Sequence, residues 1–238
     1  MNPHHLKILK TIRQNSGKPT HHTFQDNYLG NTHPRYAISA PVLRRIAKDW
    51  KKSALLLSVN EFEKLITSLV HGKSSTEKCM AGILLDYATP DQRKFDPELF
   101  DSWLDSVTGW AEVDALCSGR YTAAEIPHND NVWKKLLVRL SKSKNINKRR
   151  ASLVFLCSPL RAIAHEPLAE AALANVDTLK HEKEILITKA ISWLLRSMVK
   201  HHRKSVEEYV QRNRKNLPAI AVRETLTKLK TGKKTKKL

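Results

Sequence analysis

KEILITKAISWLLRSMVKHH, residues 183–202, carries apolar side chains at the spacing of an amphipathic helix. At about 100° per residue, these side chains fall on a single stripe along one side of the helix. The stripe consists of Ile187, Ile191, Leu194, Leu195 and Met198. The stretch therefore predicts a long helix with one face in a hydrophobic core.

The same helical spacing recurs along most of the chain. Only seven of the 238 residues are glycine, and 41% are hydrophobic. Scarce glycine with abundant Leu, Lys, Ala and Arg favours helices over strands joined by tight turns, and we find no convincing strand pair. Ser39 is expected to cap a helix in residues 39–50, and Asn60 to cap one in residues 60–70. Further helices are predicted in residues 1–14, 75–88, 96–107, 131–142, 149–157, 167–176, 205–215 and 221–230.

A faint repeat runs through these helices. Cys79, Cys117 and Cys157 follow one another at intervals of 38 and 40 residues. Arg150 and Lys189, each followed by alanine and an apolar run, are 39 residues apart. Periods of about 40 residues are typical of HEAT-like helical hairpins. We therefore predict an all-α fold of stacked antiparallel helical hairpins, a HEAT-like solenoid with a concave basic face that can hold a nucleic-acid duplex.

The charge points to a polyanionic partner. The formal net charge is +19 at pH 7, and the six lysines and one glutamate of residues 224–238 contribute +5 of it, which leaves +14 on residues 1–223. An excess spread over the folded part favours binding to nucleic acid, although a merely soluble basic protein gives the same total. We expect residues 1–229 to form a single domain and residues 230–238 to be a disordered basic tail.

The cysteines and the absence of known motifs restrict the compartment and the type of chemistry that the protein can have. Three cysteines without a CxxC pair indicate reduced thiols in a cytoplasmic protein, associated with the nucleoid if the source is bacterial. No apolar run approaches the roughly 18 residues of a membrane span, so we expect no membrane association. The sequence has no HExxH, Walker, GxSxG or zinc-deaminase pattern, so we expect no metal, no cofactor and no bound nucleotide. We also expect a monomer.

Trp193 stands apart from the apolar stripe of its helix. It points about 140° away from the centre of that stripe. Lys189, Arg196 and Lys200 lie on its side. A large aromatic ring among cations is typical of a surface that binds a nucleic-acid backbone and offers a stacking face. The alternative is a neighbouring repeat that covers Trp193, because the helices of a solenoid bury two faces.

A second cluster of cations precedes an almost wholly apolar helix. The N-terminus of that helix would offer N–H groups and a positive dipole beside the cations, an arrangement that suits a phosphate group. A solvated charged loop is the alternative. The cations are Lys142, Lys144, Lys148, Arg149 and Arg150.

Trp110 and Asp114 lie four residues apart and therefore share one face of a helix. No lysine or arginine lies within four residues of Asp114, although the chain has 42 of them. A buried carboxylate needs hydrogen bonds or an opposite charge. Asp114 is thus expected either to pair with a distant arginine, such as Arg150, or to face a positive charge that arrives with the substrate.

Taken together, these segments resemble the AlkD-like family of DNA alkylation repair glycosylases. The resemblance runs from about Tyr28 to Leu229, and its segments occur in the family's order and spacing. Residues 27–50 are similar to the family's N-terminal segment, and residues 206–229 to its closing helices. The central segments are GWAEVDALC (109–117), NKRRASLVFLC (147–157) and ITKAISWLLR (187–196).

The resemblance implies a C-shaped stack of HEAT-like hairpins with double-stranded DNA along its concave side. It implies hydrolysis of the N-glycosidic bond of positively charged N3- and N7-alkylated purines, without flipping of the lesion into a pocket. Carried over residue by residue, the catalytic aspartate is Asp114 and the active-site tryptophans are Trp110 and Trp193. The remaining residues expected to bind DNA are Arg150, Arg149, Lys148, Lys189, Arg196 and, as a supporting tyrosine, Tyr28.

The sequence departs from this family at one point near the site. Relatives often carry an acid directly after the tryptophan, whereas Trp110 is followed by Ala111 and then Glu112. Glu112 is a candidate for a displaced second carboxylate, although it points about 200° away from Asp114 on a helix.

A carboxylate without a cation close to it in the sequence suits the implied chemistry. An N3- or N7-alkylated purine is a good leaving group without a general acid, and positive charge moves onto the deoxyribose as the bond breaks. Asp114 would stabilise that charge and orient or deprotonate the attacking water, and the tryptophan faces would add cation–π contacts worth about 0.5–2 kcal/mol. A non-catalytic HEAT-like nucleic-acid-binding scaffold is the alternative, which Asp114 and both tryptophans disfavour. The charge disfavours a protein-binding solenoid.

Overall fold

The fold is helical throughout the described part of the chain. The computed structural model describes residues 1–21, 28, 30–53 and 57–234. Within these residues Thr20 and Arg35 form an isolated antiparallel β-bridge, and no strand forms. The α-helices are α1 (Pro3–Ser16), α2 (Ala40–Ser53), α3 (Val59–Val70), α4 (Ser75–Tyr87), α5 (Leu99–Trp103), α6 (Gly109–Cys117), α7 (Arg120–His128), α8 (Asp130–Ser141), α9 (Ile146–Ala162), α10 (Glu166–Leu179), α11 (Ile185–Met198), α12 (Arg203–Arg212) and α13 (Ala219–Thr231).

The helices form two compact units, Met1–Tyr121 and Thr122–Leu238. In the first unit α4 contacts both α2 and α6, and α3 packs against α1 and α4. In the second unit α11 contacts both α9 and α13, while α8, α10 and α12 pack beside them. A helix that packs against the next helix and the one after it is typical of stacked helical hairpins. The predicted all-α helical-repeat fold is confirmed, whereas the single domain and the concave basic face stay predictions.

The core of the second unit is built on α9 and α11. All five residues of the predicted apolar stripe of α11 are fully buried. Residues 150–160 of α9 are buried on every side of the helix, as the almost continuous apolar run predicts. These two helices therefore fix the positions of the side chains that project from them.

An aromatic cluster anchors the first unit. The rings of Phe95 and Tyr121 stack with centroids 5.6 Å apart, and Phe100 and Trp103 meet edge to face at 5.0 Å. Trp103 is fully buried, and its indole N–H donates to Thr67 Oγ1 at 3.0 Å. The cluster ties the loop before α5 and the start of α7 to α3.

Two predictions about helix ends are wrong, and one helix was missed. Helix α3 is capped by Ser58 rather than Asn60, because Ser58 and Glu61 form a reciprocal capping box two residues earlier. Helix α5 covers only Leu99–Trp103 of the predicted twelve residues. The sequence did not predict α7, which contains Pro127 near its C-terminal end.

The C-terminal helix runs slightly beyond the predicted domain boundary. α13 ends at Thr231, and Gly232 follows with a φ of 71°, a left-handed conformation that favours glycine. Residues 233 and 234 of the predicted basic tail are described, and residues 235–238 lie outside the described residues.

Candidate functional site

A cavity of 580 Å³ in the first unit brings Trp110 and Asp114 together, and we call it the Asp114 cavity. Helix α6 supplies both side chains, as their spacing predicts. Trp110 is 38% exposed and Asp114 is half-buried. A second wall comes from α2 and α4, and the rim includes the first residue of α7. The charged side chains that line the cavity are Arg35, Arg44, Asp86, Asp114 and Arg120.

Two glycines allow α6 to lie where it does. Gly82 of α4 faces the backbone of α6, and a Cβ atom there would lie 1.8 Å from the carbonyl oxygen of Ala115. Gly109 starts α6 with a φ of +68°, and a Cβ atom there would lie 2.1 Å from Asn31 Oδ1. Such distances are far below van der Waals contact, so only glycine permits this close approach. The positions of Trp110 and Asp114 thus depend on Gly82 and Gly109.

Asp86 of α4 is a second carboxylate in the Asp114 cavity, which no sequence pattern indicated. Its Oδ1 accepts a hydrogen bond from the backbone N–H of Tyr121 at 3.1 Å. Burial raises the pKa of Asp86, while the N–H groups of Tyr121 and Arg120 and the Arg120 charge act in the opposite direction. Asp86 therefore holds the start of α7 beside the cavity. Its distance from Asp114 along the chain hid this relation.

The Cys79 thiol also lines the Asp114 cavity. Its Sγ donates to the backbone carbonyl of Ala111 at 3.7 Å. Burial raises the pKa of Cys79 to about 12, with the nearby Glu112 charge adding to the effect. At neutral pH the group is a protonated thiol, which is neither a good nucleophile nor a ready metal ligand.

Glu112 lies on the other side of α6 and has a structural role. Its side chain is fully buried, accepts from the backbone N–H of Thr108 at 2.8 Å, and contacts His33 Nδ1 at 3.1 Å. Glu112 therefore ties the first turn of α6 to the segment before α2. The hypothesis that it is a displaced second carboxylate of the site is wrong, because the face opposite Asp114 packs into the core.

A second cavity, of 490 Å³, lies within the second unit, and we call it the Trp193 cavity. Trp193 is half-buried there, so the ring is neither fully exposed nor fully covered, and its contact with nucleic acid stays a prediction. Four of the residues predicted to bind DNA or act in catalysis line this cavity. Two residues of α13 and one residue after that helix complete the lining. The lining consists of Arg150, Lys189, Trp193, Arg196, Ile220, Glu224 and Lys234.

The arginines of the Trp193 cavity are held by the protein itself. Arg150 is 4% exposed, and its guanidinium donates to the backbone carbonyl of Leu186. Arg196 Nε lies 3.2 Å from Glu224 Oε2, which also accepts from Ser192 Oγ at 2.7 Å. Burial lowers the pKa of Arg196, and the Glu224 charge opposes that shift. Lys189 is exposed. Lys234, which also lines the cavity, is exposed as well. The cavity thus combines guanidinium groups held by the protein with two lysines open to solvent.

Comparison with known proteins identifies the family. A family model described as DNA alkylation repair enzyme matches residues 8–229. The chain belongs to this family. The match begins within α1, whereas the resemblance seen in the sequence segments ran from about Tyr28.

A solved structure shares the fold of this DNA alkylation repair family member. It is a predicted DNA alkylation repair enzyme from Enterococcus faecalis, 16% identical in sequence, and it matches with a TM-score of 0.64 over 94% of each chain. A likeness at this level of identity shows the fold alone. Comparison with curated proteins finds no significant match.

Three residues expected to bind DNA lie outside both cavities of this family member. Arg149 forms a two-point ion pair with Glu182, at 2.7 and 3.1 Å, and also donates to the carbonyls of Ser143 and Lys144. Lys148 is half-buried and Tyr28 is 56% exposed. Asn145 caps α9 by accepting from its first turn. The predicted phosphate site at this helix end is therefore already occupied in part by the protein's own groups.

Within the described ranges, no three His, Cys, Asp or Glu side chains lie close enough to hold a metal ion. None of the helices listed above is both long and apolar enough to cross a membrane.

Proposed function

We propose that this DNA alkylation repair family member is a DNA glycosylase. It hydrolyses the N-glycosidic bond of cationic N3- and N7-alkylated purines in duplex DNA, as a monomer without metal or cofactor. The observation that carries the proposal is the pairing of Trp110 and Asp114 in one cavity. An exposed aromatic ring beside a half-buried carboxylate suits a cationic sugar better than it suits a neutral ligand.

The proposed reaction places the developing charge against Asp114. As the C1′–N bond lengthens, the electrons of the bond go to the alkylated purine, which leaves neutral, and the deoxyribose becomes oxocarbenium-like. The Asp114 carboxylate stabilises this cation and accepts a proton from the attacking water. The Trp110 ring offers its electron-rich face to the sugar. No proton has to be delivered to the leaving base.

The Trp193 cavity supports the same function through charge. Arg150, Lys189 and Arg196 present cations around an aromatic ring that is half-buried. Phosphate groups bind readily to such a cluster, and the ring offers a surface for a sugar or base. Because Arg150 is buried and held by a backbone carbonyl, its guanidinium is orientated before DNA arrives.

A glycosylase assay with matched carboxylate variants tests the proposal. Wild-type protein should release 7-methylguanine and 3-methyladenine from duplex DNA but leave uracil, hypoxanthine and 8-oxoguanine in place, because those neutral bases need protonation to leave. Asp114→Asn should lower the single-turnover rate by a factor of about 100 or more. Asp86→Asn is the control, since Asp86 lines the same cavity but holds the start of α7, and it should retain most of the release.

The outcomes separate the two candidate functions. Tight binding of methylated duplex without base release would favour the non-catalytic scaffold. A folded Asp114→Asn variant with full activity would exclude the catalytic role of that carboxylate. Release of hypoxanthine that disappears in Asp86→Asn would identify Asp86 as a general acid and replace the proposed mechanism.

A further inference from the structure

Arginines from three separate segments line the Asp114 cavity. Arg35 lies in the segment before α2, Arg44 lies within α2, and Arg120 is the first residue of α7. All three side chains are exposed. The charged lining is completed by Asp86 and Asp114. The fold therefore gathers guanidinium groups around the carboxylate that the proposed reaction uses.

The geometry of α2 distinguishes Arg44 from its neighbour Arg45. Leu43, Ile46 and Ala47 are buried, so this face of α2 packs into the core. Arg44 and Arg45 are both exposed, but successive helical residues point about 100° apart. Of the two, Arg44 lines the cavity. Among the described residues, no carboxylate forms an ion pair with Arg44. Its charge is thus available to a ligand in the cavity.

From this arrangement, and resting on the proposed function, we propose that Arg44 and Arg120 bind the two phosphates that flank the reacting deoxyribose. Each side of that sugar carries one phosphodiester, so a sugar placed at Asp114 brings two anions to the cavity. A guanidinium binds phosphate oxygens through two parallel N–H donors, which fixes orientation as well as position. The two arginines would hold the sugar between Trp110 and Asp114.

The bound phosphates also reverse the charge of the cavity. With both carboxylates ionised, three arginines and two aspartates give the lining a formal charge of +1, and two phosphates change it to −1. A positive cavity opposes a cationic base and an oxocarbenium-like sugar, whereas a negative cavity favours both. The DNA strand itself therefore completes the electrostatic environment of Asp114.

The test combines arginine variants with uncharged phosphates. Duplexes with one 7-methylguanine carry a methylphosphonate, which removes one negative charge, on either the 5′ or the 3′ side of the lesion. In wild-type protein each replacement should weaken binding by roughly tenfold. Arg44→Gln should weaken binding of the unmodified duplex by a similar factor, and one of the two methylphosphonates should then have no further effect. Arg120→Gln should show the same non-additivity at the other phosphate.

Arg45→Gln is the matched control, because it removes the same charge from the next position of α2. It should respond to both methylphosphonates as wild-type protein does. Equal responses of Arg44→Gln and Arg45→Gln, with melting temperatures unchanged, would overturn the phosphate assignment. Base release by wild-type protein, measured on the same duplexes, keeps the two proposals apart. Base release together with additive effects of the arginine variants and the methylphosphonates on binding would overturn only the phosphate assignment. Non-additive effects on binding without base release would overturn only the glycosylase proposal.

Discussion

At the scale of single residues, two tryptophans of the first unit have opposite environments. Trp103 is fully buried in the aromatic cluster, and its indole N–H is bonded to Thr67. Trp110 is 38% exposed and lines the Asp114 cavity. A large apolar side chain that stays open to solvent beside a carboxylate contributes little to the core. This exposure fits the proposed contact between the Trp110 ring and a ligand bound in the cavity.

This contrast predicts different effects of removing each ring. Trp110→Ala should change the free energy of unfolding by less than about 1 kcal/mol. If the ring contacts the sugar as proposed, the same change should lower base release. Trp103→Ala should lose about 3–5 kcal/mol, the cost of emptying a core site of that size. Denaturant unfolding and single-turnover release measure the two effects. A Trp110→Ala variant with normal release would remove this ring from the site.

Local spacing predicted the part of the site that lies within single helices. The four-residue interval placed Trp110 and Asp114 on one face of α6, and the helical period placed Lys189 and Arg196 near Trp193. Asp86, Arg44 and Arg120 were missed because packing between helices brings them to the cavity. No periodicity connects residues on α2, α4 and α7 to α6, so such relations are invisible without a structure.

At the scale of elements, the contact between α4 and α6 determines where the candidate catalytic side chains lie. α6 carries Trp110 and Asp114 on one face and the buried Glu112 on the other. Gly82 lets the backbone of α6 approach α4 closely. The close contact removes any room for adjustment, so a change in α4 is transmitted directly to the cavity.

Gly82→Ala should therefore affect stability and activity together. Helix propensity alone would make alanine more stable by about 1 kcal/mol. The new Cβ atom would instead meet the carbonyl oxygen of Ala115 at 1.8 Å, so α6 must shift, at a cost of about 1–3 kcal/mol. Thermal unfolding and base-release assays give the sign of each effect. A stabilised variant with full activity would show that the two helices can separate at little cost.

Helix α4 begins with a second reciprocal capping box, in which Ser74 accepts from the backbone N–H of Glu77 and the Glu77 carboxylate accepts from the backbone N–H of Ser74. Together with the Ser58–Glu61 box of α3, it predicts that the two helices respond differently to acid. Burial by itself raises the pKa of Glu77, but hydrogen bonds from His5 and Ser74 outweigh burial and lower the pKa below its ordinary 4.5. The ionised carboxylate therefore stabilises α4 at neutral pH. This stabilisation is lost as the pH falls from about 4.5 through the lower folded pKa.

Glu77→Gln should accordingly flatten the loss of stability between about pH 5 and pH 3. Glu61→Gln is the matched control, since Glu61 forms the same box with Ser58 in an exposed position where solvent screens its charge. Denaturant unfolding at several pH values compares the three proteins. Equal pH profiles for both variants would show that burial of the Glu77 box adds nothing.

Helix ends were less predictable than helix cores. The burial of α9 and α11 follows from long apolar patterns, which no single residue can override. The start of α3 depends on Ser58 and Glu61 together, and Asn60 lies within the first turn of the resulting helix. A residue with a capping side chain is common, so only the reciprocal partner three positions later identifies the actual cap.

At the scale of the whole molecule, the net charge of +19 governs encounter with DNA. Binding that neutralises phosphates releases counterions, so affinity should fall with salt at a log–log slope near −0.9 for each phosphate contacted. Lys189→Gln should make that slope shallower by about 0.9, because Lys189 is exposed in the Trp193 cavity. Lys204→Gln, an exposed lysine of α12 outside that lining, is the control. The measurement is duplex affinity at several salt concentrations. Equal changes of the salt slope in both variants would show that Lys189 does not contact a DNA phosphate.

The thiol in the Asp114 cavity has a consequence for a protein of DNA alkylation repair. Methylating agents react with thiolates far faster than with thiols. With the pKa of Cys79 raised to about 12, the group is almost wholly protonated at pH 7. Cys117 and Cys157 are buried in the core. The raised pKa therefore makes the thiol beside Asp114 a poor target for methylating agents, and iodoacetamide or methyl methanesulfonate should modify Cys79 slowly at pH 7.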